Sequence, residues 1–163
     1  MKTVTFDSTT NPDDPVILRA QHSGWQVAFA SVSAREAVGT PFESLHLSME
    51  RLPEIAVFDE TRWNEGRWAD DSSISRIEKI LTIVSNGSFP KDRTTLSKGQ
   101  KHQFRDCLIL EAHAAARRSV FVTDDFKAFI NDGRRERLEA LLGTRILKRI
   151  EFEAELGKDG GGA

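Results

Sequence analysis

In the segment SVFVTDDFKAFI, residues 119–130, a short strand-forming run meets a pair of adjacent carboxylates. Val120–Thr123 are β-branched or aromatic, as in a buried strand. Asp124 and Asp125 follow at once, and the chain then turns apolar again. Ionised carboxylates are not left unpaired in an apolar core. The strand must therefore deliver both acids to an edge of the fold where water, a donor or a cation can meet them. The same motif opens the chain, where KTVTF, residues 2–6, runs into Asp7.

Between these two points strand-like and helix-like stretches alternate. Pro15 is placed to start a helix through PVILRAQHSG, with Gly24 near its end. WQVAFASV, 25–32, reads as a strand buried on both faces. Ser33 with Glu36 matches the S-x-x-E capping box of a following helix. ESLHLSMERL reads as a helix ending at Pro53, and EIAVFDETRW as a further strand with its own acids, Asp59 and Glu60. SSISRIEKILTIVSNG carries apolar residues at 74, 77, 80, 81 and 84, a helical stripe closed by Asn86-Gly87. Residues 88–102 read as an exposed basic loop, and 103–118, QFRDCLILEAHAAARR, as the clearest helix. RRERLEALLG is a charged amphipathic helix, TRILKRI a last strand, and EFEAEL a short terminal helix. This order predicts an α/β fold with a small central parallel sheet covered by helices on both faces. It occupies one domain over residues 1–157, with 158–163 as a disordered tail.

Bulk properties narrow the class further. The net charge of −2 argues neither for nor against a nucleic-acid partner, since a local basic patch suffices. The single cysteine, Cys107, rules out an intramolecular disulfide and a cysteine-rich zinc site. The histidines at 22, 46, 102 and 113 do not share metal-motif spacing. No apolar run approaches a membrane span and the start lacks a secretory h-region, so a cytoplasmic location is expected.

In open α/β sheets ligands bind beyond the carboxyl ends of the strands. Asp7, Asp124 and Asp125 follow strands there, Glu36 opens the helix after the second strand, and Asp106 lies near the start of the long helix. Converging carboxylates repel unless a cation neutralises them or one keeps its proton. An oxygen-only set suits Mg²⁺ or Mn²⁺, which hold phosphate oxygens and activate water. Each acid also has a purely structural reading. Asp7 can close a turn, Glu36 can be a capping-box partner, Asp106 can favour a helix N-terminus, and one of Asp124 and Asp125 can cap the next helix.

RDCLILEAHAAARRSVFVTDDFKAFI resembles the PIN-domain ribonucleases, which include toxins of bacterial toxin–antitoxin pairs. The likeness lies in an Asp opening an alanine-rich helix, then a strand and Thr-x-Asp, here Asp106, Thr123 and Asp125. RRERLEALLGTRILKRIEFEAEL is similar to the family's closing helix, strand and helix. VTFDSTTNPD resembles its opening strand and Asp, here Asp7, although Asp7-Ser8-Thr9 stands where the family shows Asp-Thr/Ser-Asn. VAFASVSAREAVGTP resembles the second strand and following Glu, here Glu36. Residues 40–102 carry no family signature, and leave Glu60 and Glu65 as rivals to Glu36.

The resemblance implies a three-layer α/β/α PIN-like fold and Mg²⁺ or Mn²⁺ held by Asp7, Asp106 and Asp125. Glu36 would be a further ligand or water-orienting base, Ser8 or Thr123 a hydrogen-bonding partner, and Asp124 an accessory acid. The implied reaction is endonucleolytic hydrolysis of single-stranded RNA, with an antitoxin protein and a homodimer as further partners. The alternative is a catalytically degenerate PIN-like module that binds RNA or a protein partner. A receiver-type or hydrolase-type phosphate site has less support, since no nucleophile elbow or P-loop is present.

Lys98, Lys101, His102 and Arg105 precede Asp106 and are placed to attract phosphates, or form a solvated loop. Arg62, Trp63, Arg67 and Trp68 offer stacking groups, with at least one Trp expected in the core. Arg117 and Arg118 are expected to complement their helix dipole, and Cys107 and His113 to pack inside.

Overall fold

The computed structural model of the protein describes residues 1–57, 66–92 and 94–159. Strand β1 (Lys2–Phe6) leads through a turn to α1 (Pro15–His22), where Asp14 Oδ1 accepts from Val16 N at 3.0 Å and Pro15 takes the first helical position. Then come β2 (Trp25–Ala30), α2 (Ser31–Glu36), α3 (Glu43–Ser48), β3 (Glu50–Leu52), β4 (Glu54–Ile55) and β5 (Gly66–Arg67). The second half holds α4 (Asp71–Val84), α5 (Lys98–Ala115), β6 (Val120–Val122), a π turn over Phe126–Ile130, α6 (Arg134–Leu142), β7 (Arg145–Leu147) and α7 (Arg149–Asp159).

Among the described residues, five strands form one parallel sheet in the order β3-β2-β1-β6-β7. Side-chain parity along the strands builds the three layers. Val4 and Phe6 point to one face with Val27, Phe29, Val120, Val122 and Leu147, against Val16 and Ile17 of α1 and Phe152 of α7. Ala28, Ala30, Phe121 and Ile146 point to the other, against Ile77 and Ile80 of α4 and Leu108 of α5. The expected α/β/α arrangement with a small parallel sheet is thus present. No described helix is long and apolar enough to cross a membrane.

Several boundaries differ from the sequence expectation. β2 ends at Ala30, because its ladder to β3 ends at Ala30↔Leu52 and Ser31 Oγ donates to Leu52 O at 3.2 Å. Ser33 therefore lies inside α2, whose N-cap is Ala30 with no side-chain cap bond, and the Ser33–Glu36 capping box does not form. Glu36 closes that helix rather than opening it. The segment expected as one helix up to Pro53 splits into α3 and β3, since residues 50–52 complete the open edge of β2. In EIAVFDETRW only Glu54 and Ile55 form a described strand, paired in parallel with Gly66 and Arg67. Asp59, Glu60, Arg62, Trp63 and Glu65 lie outside the described residues.

The basic loop ends early. Ser97 and Gln100 form a reciprocal capping box, so α5 starts at Lys98 and Asp106 is its ninth residue, not its opening one. The last strand stops at Leu147, and α7 runs from Arg149 to Asp159, so residues 158 and 159 are helical; 160–163 lie outside the described residues. Trp68 is 90 % exposed, and Trp63, the other tryptophan of that segment, lies outside the described residues. Arg118 is buried instead of capping α5, donating to Val4 O at 3.2 Å, to Gln26 O and to Glu50 at 3.2 Å. It clamps β1, β2 and β3 at the end of the sheet opposite the acids.

His113 sets the alignment of α5. Its Nδ1 pairs with Thr5 Oγ1 of β1 at 2.9 Å, and its Nε2 with Thr144 Oγ1 at 2.7 Å beside β7. Burial, with the Arg118 charge adding to it, lowers its pKa to about 3, so the ring is neutral at pH 7. An unfolded histidine takes a proton near pH 6.5, so this contribution is present above that pH and lost as pH falls from 6.5 towards 3. His113→Leu leaves the Thr5 hydroxyl buried without its partner and is expected to lower urea-derived stability by about 2–3 kcal/mol at pH 7. The deficit should shrink on titration from pH 6.5 to 4.5, and an unchanged deficit would contradict the neutral-imidazole assignment.

Candidate acidic site at the carboxyl end of the sheet

The strand order reverses direction between β1 and β6, the place where an open α/β sheet leaves a crevice. Asp7 sits on one side of this seam and Thr123 to Asp125 on the other. Asp7 extends β1 by one rung, its N–H donating to Val122 O at 2.9 Å, and Thr123 extends β6 by donating to Leu147 O at 3.0 Å. Thr123 Oγ1 then donates to Asp7 Oδ2 at 2.8 Å and accepts from Asp125 N at 3.0 Å. One hydroxyl thereby fixes both acids.

Asp7 is 2 % exposed. Its Oδ1 accepts from Ser8 N at 2.7 Å, with Ser8 Oγ at 3.5 Å, and its Oδ2 also accepts from Thr9 Oγ1 at 3.3 Å. The turn is closed by Thr10 N donating to Asp7 O at 3.0 Å. Burial pushes the carboxyl up to about 6, against the pull of the Thr123, Ser8 and Thr9 donors, and Asp125 adds to the push.

Asp106 reaches the same place from the helical layer. His113, seven residues on, lies two turns away on the same face of α5 and touches Thr5 of β1. Two turns of helix cover about 10 Å and two residues of strand about 7 Å. The helix that pins His113 to Thr5 therefore carries Asp106 towards Asp7. Its carboxyl is pushed up to about 8, first by burial and then by the charges of Asp7, Asp125 and Glu36. Those interactions bring all four acids into one electrostatic field, although Glu36 itself is exposed.

The two acids after β6 divide their work. Asp125 Oδ1 accepts from Ala128 N at 2.8 Å and caps the π turn. Asp124 is exposed; its Oδ1 accepts from Arg149 N at 3.2 Å at the head of α7, and its N–H donates to Thr9 Oγ1 at 3.3 Å. Asp124 thus ties the β1 turn and the β7 exit to β6. Lys98 and Lys101 are exposed and Arg105 partly so on the first turns of α5, within about 12 Å along the axis of Asp106. They lie on a helix, not in a loop. Glu60 and Glu65, the rivals to Glu36, lie outside the described residues.

Of two orphaned hydroxyls, Thr10 was not singled out in the sequence and Ser33 was read only as a helix cap. Thr10 Oγ1 and Ser33 Oγ are buried and make no protein hydrogen bond. The run of three hydroxyl residues after Asp7 was the available signal. For a divalent cation, the donor chemistry fits: oxygen ligands, mutual repulsion that a cation would relieve, and orphaned hydroxyls nearby. As arranged, no three acidic, histidine or cysteine side chains among the described residues stand close enough to share one ion. Comparison with protein-family models, curated proteins and solved structures finds no match for this chain.

A carboxyl whose folded pKa is raised contributes most below its unfolded value, and stability is lost as pH climbs through the window between the two. For Asp106 that window runs from about 4 to about 8. In EDTA, Asp106→Asn is expected to raise the melting temperature by about 5 °C at pH 8 and to leave it nearly unchanged at pH 4. Equal shifts at both pH values would remove the charge crowding from the account.

Proposed function

We propose that the chain is a metal-dependent endoribonuclease of PIN-like type, cleaving single-stranded RNA by phosphodiester hydrolysis at Asp7, Asp106 and Asp125. The observation that carries the reading is the crowding of Asp7, Asp106, Asp125 and Glu36 at the crevice between β1 and β6. Burial and mutual repulsion oppose full ionisation of Asp7 and Asp106, and a divalent cation would relieve both.

Asp7, Asp106 and Asp125 would hold Mg²⁺ or Mn²⁺. The bound ion would supply a water of lowered pKa and neutralise phosphate oxygens. Thr123, Ser8 and Thr9 keep the Asp7 carboxylate oriented. Glu36, exposed at the rim, is suited to accept a proton from water. Lys98, Lys101 and Arg105 offer positive charge to the RNA backbone beside Asp106. In keeping with the resemblance, the activity would be that of a cytoplasmic toxin countered by an antitoxin protein or of a stand-alone RNA-processing enzyme, with a homodimer as one assembly for either.

One observation favours a second reading, a catalytically degenerate module that binds RNA or a protein partner. It is the absence, among the described residues, of three acids close enough to share an ion. A cleavage assay on end-labelled single-stranded RNAs in Mn²⁺, Mg²⁺ and EDTA separates the two. The nuclease reading expects discrete metal-dependent products, reduced at least about 100-fold by Asp7→Asn and by Asp125→Asn. It also expects millimolar Mn²⁺ to raise the melting temperature of the parent by roughly 5 °C and that of Asp7→Asn by far less. Undiminished cleavage by either variant would overturn the assignment of the acids. No cleavage and no thermal shift would leave the binding module.

A further inference from the structure

Phe126 follows Asp125 directly and is 43 % exposed, whereas Phe129, three residues on, is fully buried against Phe121. On a regular helix residues three apart share a face. The π turn that Asp125 caps separates them, since Asn131 N donates to Phe126 O at 2.8 Å, and leaves Phe126 at the surface. π turns are rare and concentrate at functional sites. Lys148, the first residue beyond β7, places Nζ 5.0 Å from the centroid of the Phe126 ring. β7 lies beside β6, so the pair stands on the same carboxyl edge as Asp7 and Asp125. Lys127 is exposed next to it, and the Lys148 charge also acts on Glu151, whose side chain accepts from Lys148 N at 2.8 Å. Arg149, by contrast, is committed to Asp14 at 2.9 Å and Glu153 at 3.3 Å.

An exposed aromatic ring with an ammonium beside it, one residue from an acid of the site, suits a nucleotide: the ring takes a base and the ammonium a phosphate. We propose that Phe126 and Lys148 form a nucleotide platform that seats one base of a single-stranded RNA against the acidic site. This inference rests on the ribonuclease reading and adds the residues that position its substrate. Lys98, Lys101 and Arg105 supply backbone contacts on the α5 side; the platform supplies a base contact on the β6–β7 side.

The test is fluorescence anisotropy with a labelled single-stranded RNA decamer and an abasic decamer of equal charge. Both are titrated with Asp7→Asn protein in Mg²⁺, alone and combined with Phe126→Ala, Phe126→Trp or Lys148→Ala. Circular dichroism confirms the fold of each variant, and cleavage by the protein with native Asp7 is followed in parallel. The platform expects Phe126→Ala to weaken the base-containing strand about tenfold and to leave the abasic strand unchanged, with Phe126→Trp restoring binding. Lys148→Ala should reduce the steepness of the log Kd against log salt plot by about 0.7. Equal binding of the decamer with and without Phe126→Ala, while the protein with native Asp7 still cleaves RNA, overturns the platform alone. Absence of both binding and cleavage overturns the ribonuclease reading and the platform with it.

Discussion

The hydroxyl of Thr123 donates to Asp7 Oδ2 across 116 residues of sequence, at the seam where the first strand of the chain meets the sixth. The parallel register of Phe6 with Val122 brings the two residues level, and backbone bonds extend both strands past their last paired residue. The same Thr123 oxygen accepts from Asp125 N. Asp7 thus enters a nearly water-free position with donors on both oxygens, and Asp125 is turned to cap the next segment. Without this bond a buried carboxyl at the sheet end would lose a donor directed at its ionised form, and the acids would spread towards solvent.

The layer above the sheet is held by a second set of buried polar contacts. His113 bridges β1 and the start of β7, and Arg118 gathers the backbone oxygens of β1 and β2 at the far end. Glu111, fully buried on α5, pairs with Arg67 and Arg76 and attaches the β5 segment and α4 to the same helix. α5 is therefore anchored over its C-terminal third before Asp106 is considered. These struts and the acidic cluster respond to pH with opposite sign. The neutral His113 loses its contribution as pH falls below 6.5, while Asp7 and Asp106 cost more as pH rises above about 4. Between about 4 and 6.5 the two responses partly cancel.

Much of the fold was legible, for a simple reason. Strands buried on both faces, as WQVAFA and VFV nearly are, must be apolar at most positions, KTVTF keeps Val4 and Phe6 on one face, and helices between parallel strands must carry one apolar stripe. The acids after β1 and β6 were equally readable, since charge cannot enter the run that precedes it. What escaped reading depends on contacts distant in sequence. Residues 50–52 are a strand because the edge of β2 accepts them, not because of their composition. Ser33 matches a capping box by spacing, but Ser31 is already bound to Leu52 and the helix starts before it. Arg118 has the position of a helix-ending cation, and only the folded sheet offers it the carbonyls of Val4 and Gln26. The start of α5 was an oversight of another kind, because Ser97 and Gln100 carry the S-x-x-Q signal in plain view.

The crowding of acids links fold and chemistry. Burial and the charges of the neighbouring acids push both Asp7 and Asp106 upward, so the cluster resists full ionisation near neutral pH. Two crowded carboxyls that oppose each other's ionisation are a destabilising feature that the fold retains through Thr123, Ser8, Thr9 and the anchoring of α5. A hard cation would let both carboxylates ionise, at which point the repulsion that weakens the free protein becomes attraction for the ion. On the proposed reading, a single amide substitution in the cluster would relieve the fold and disable the site together. The residues whose crowding weakens the free protein at neutral pH are the ones that the proposed reading assigns to a cation.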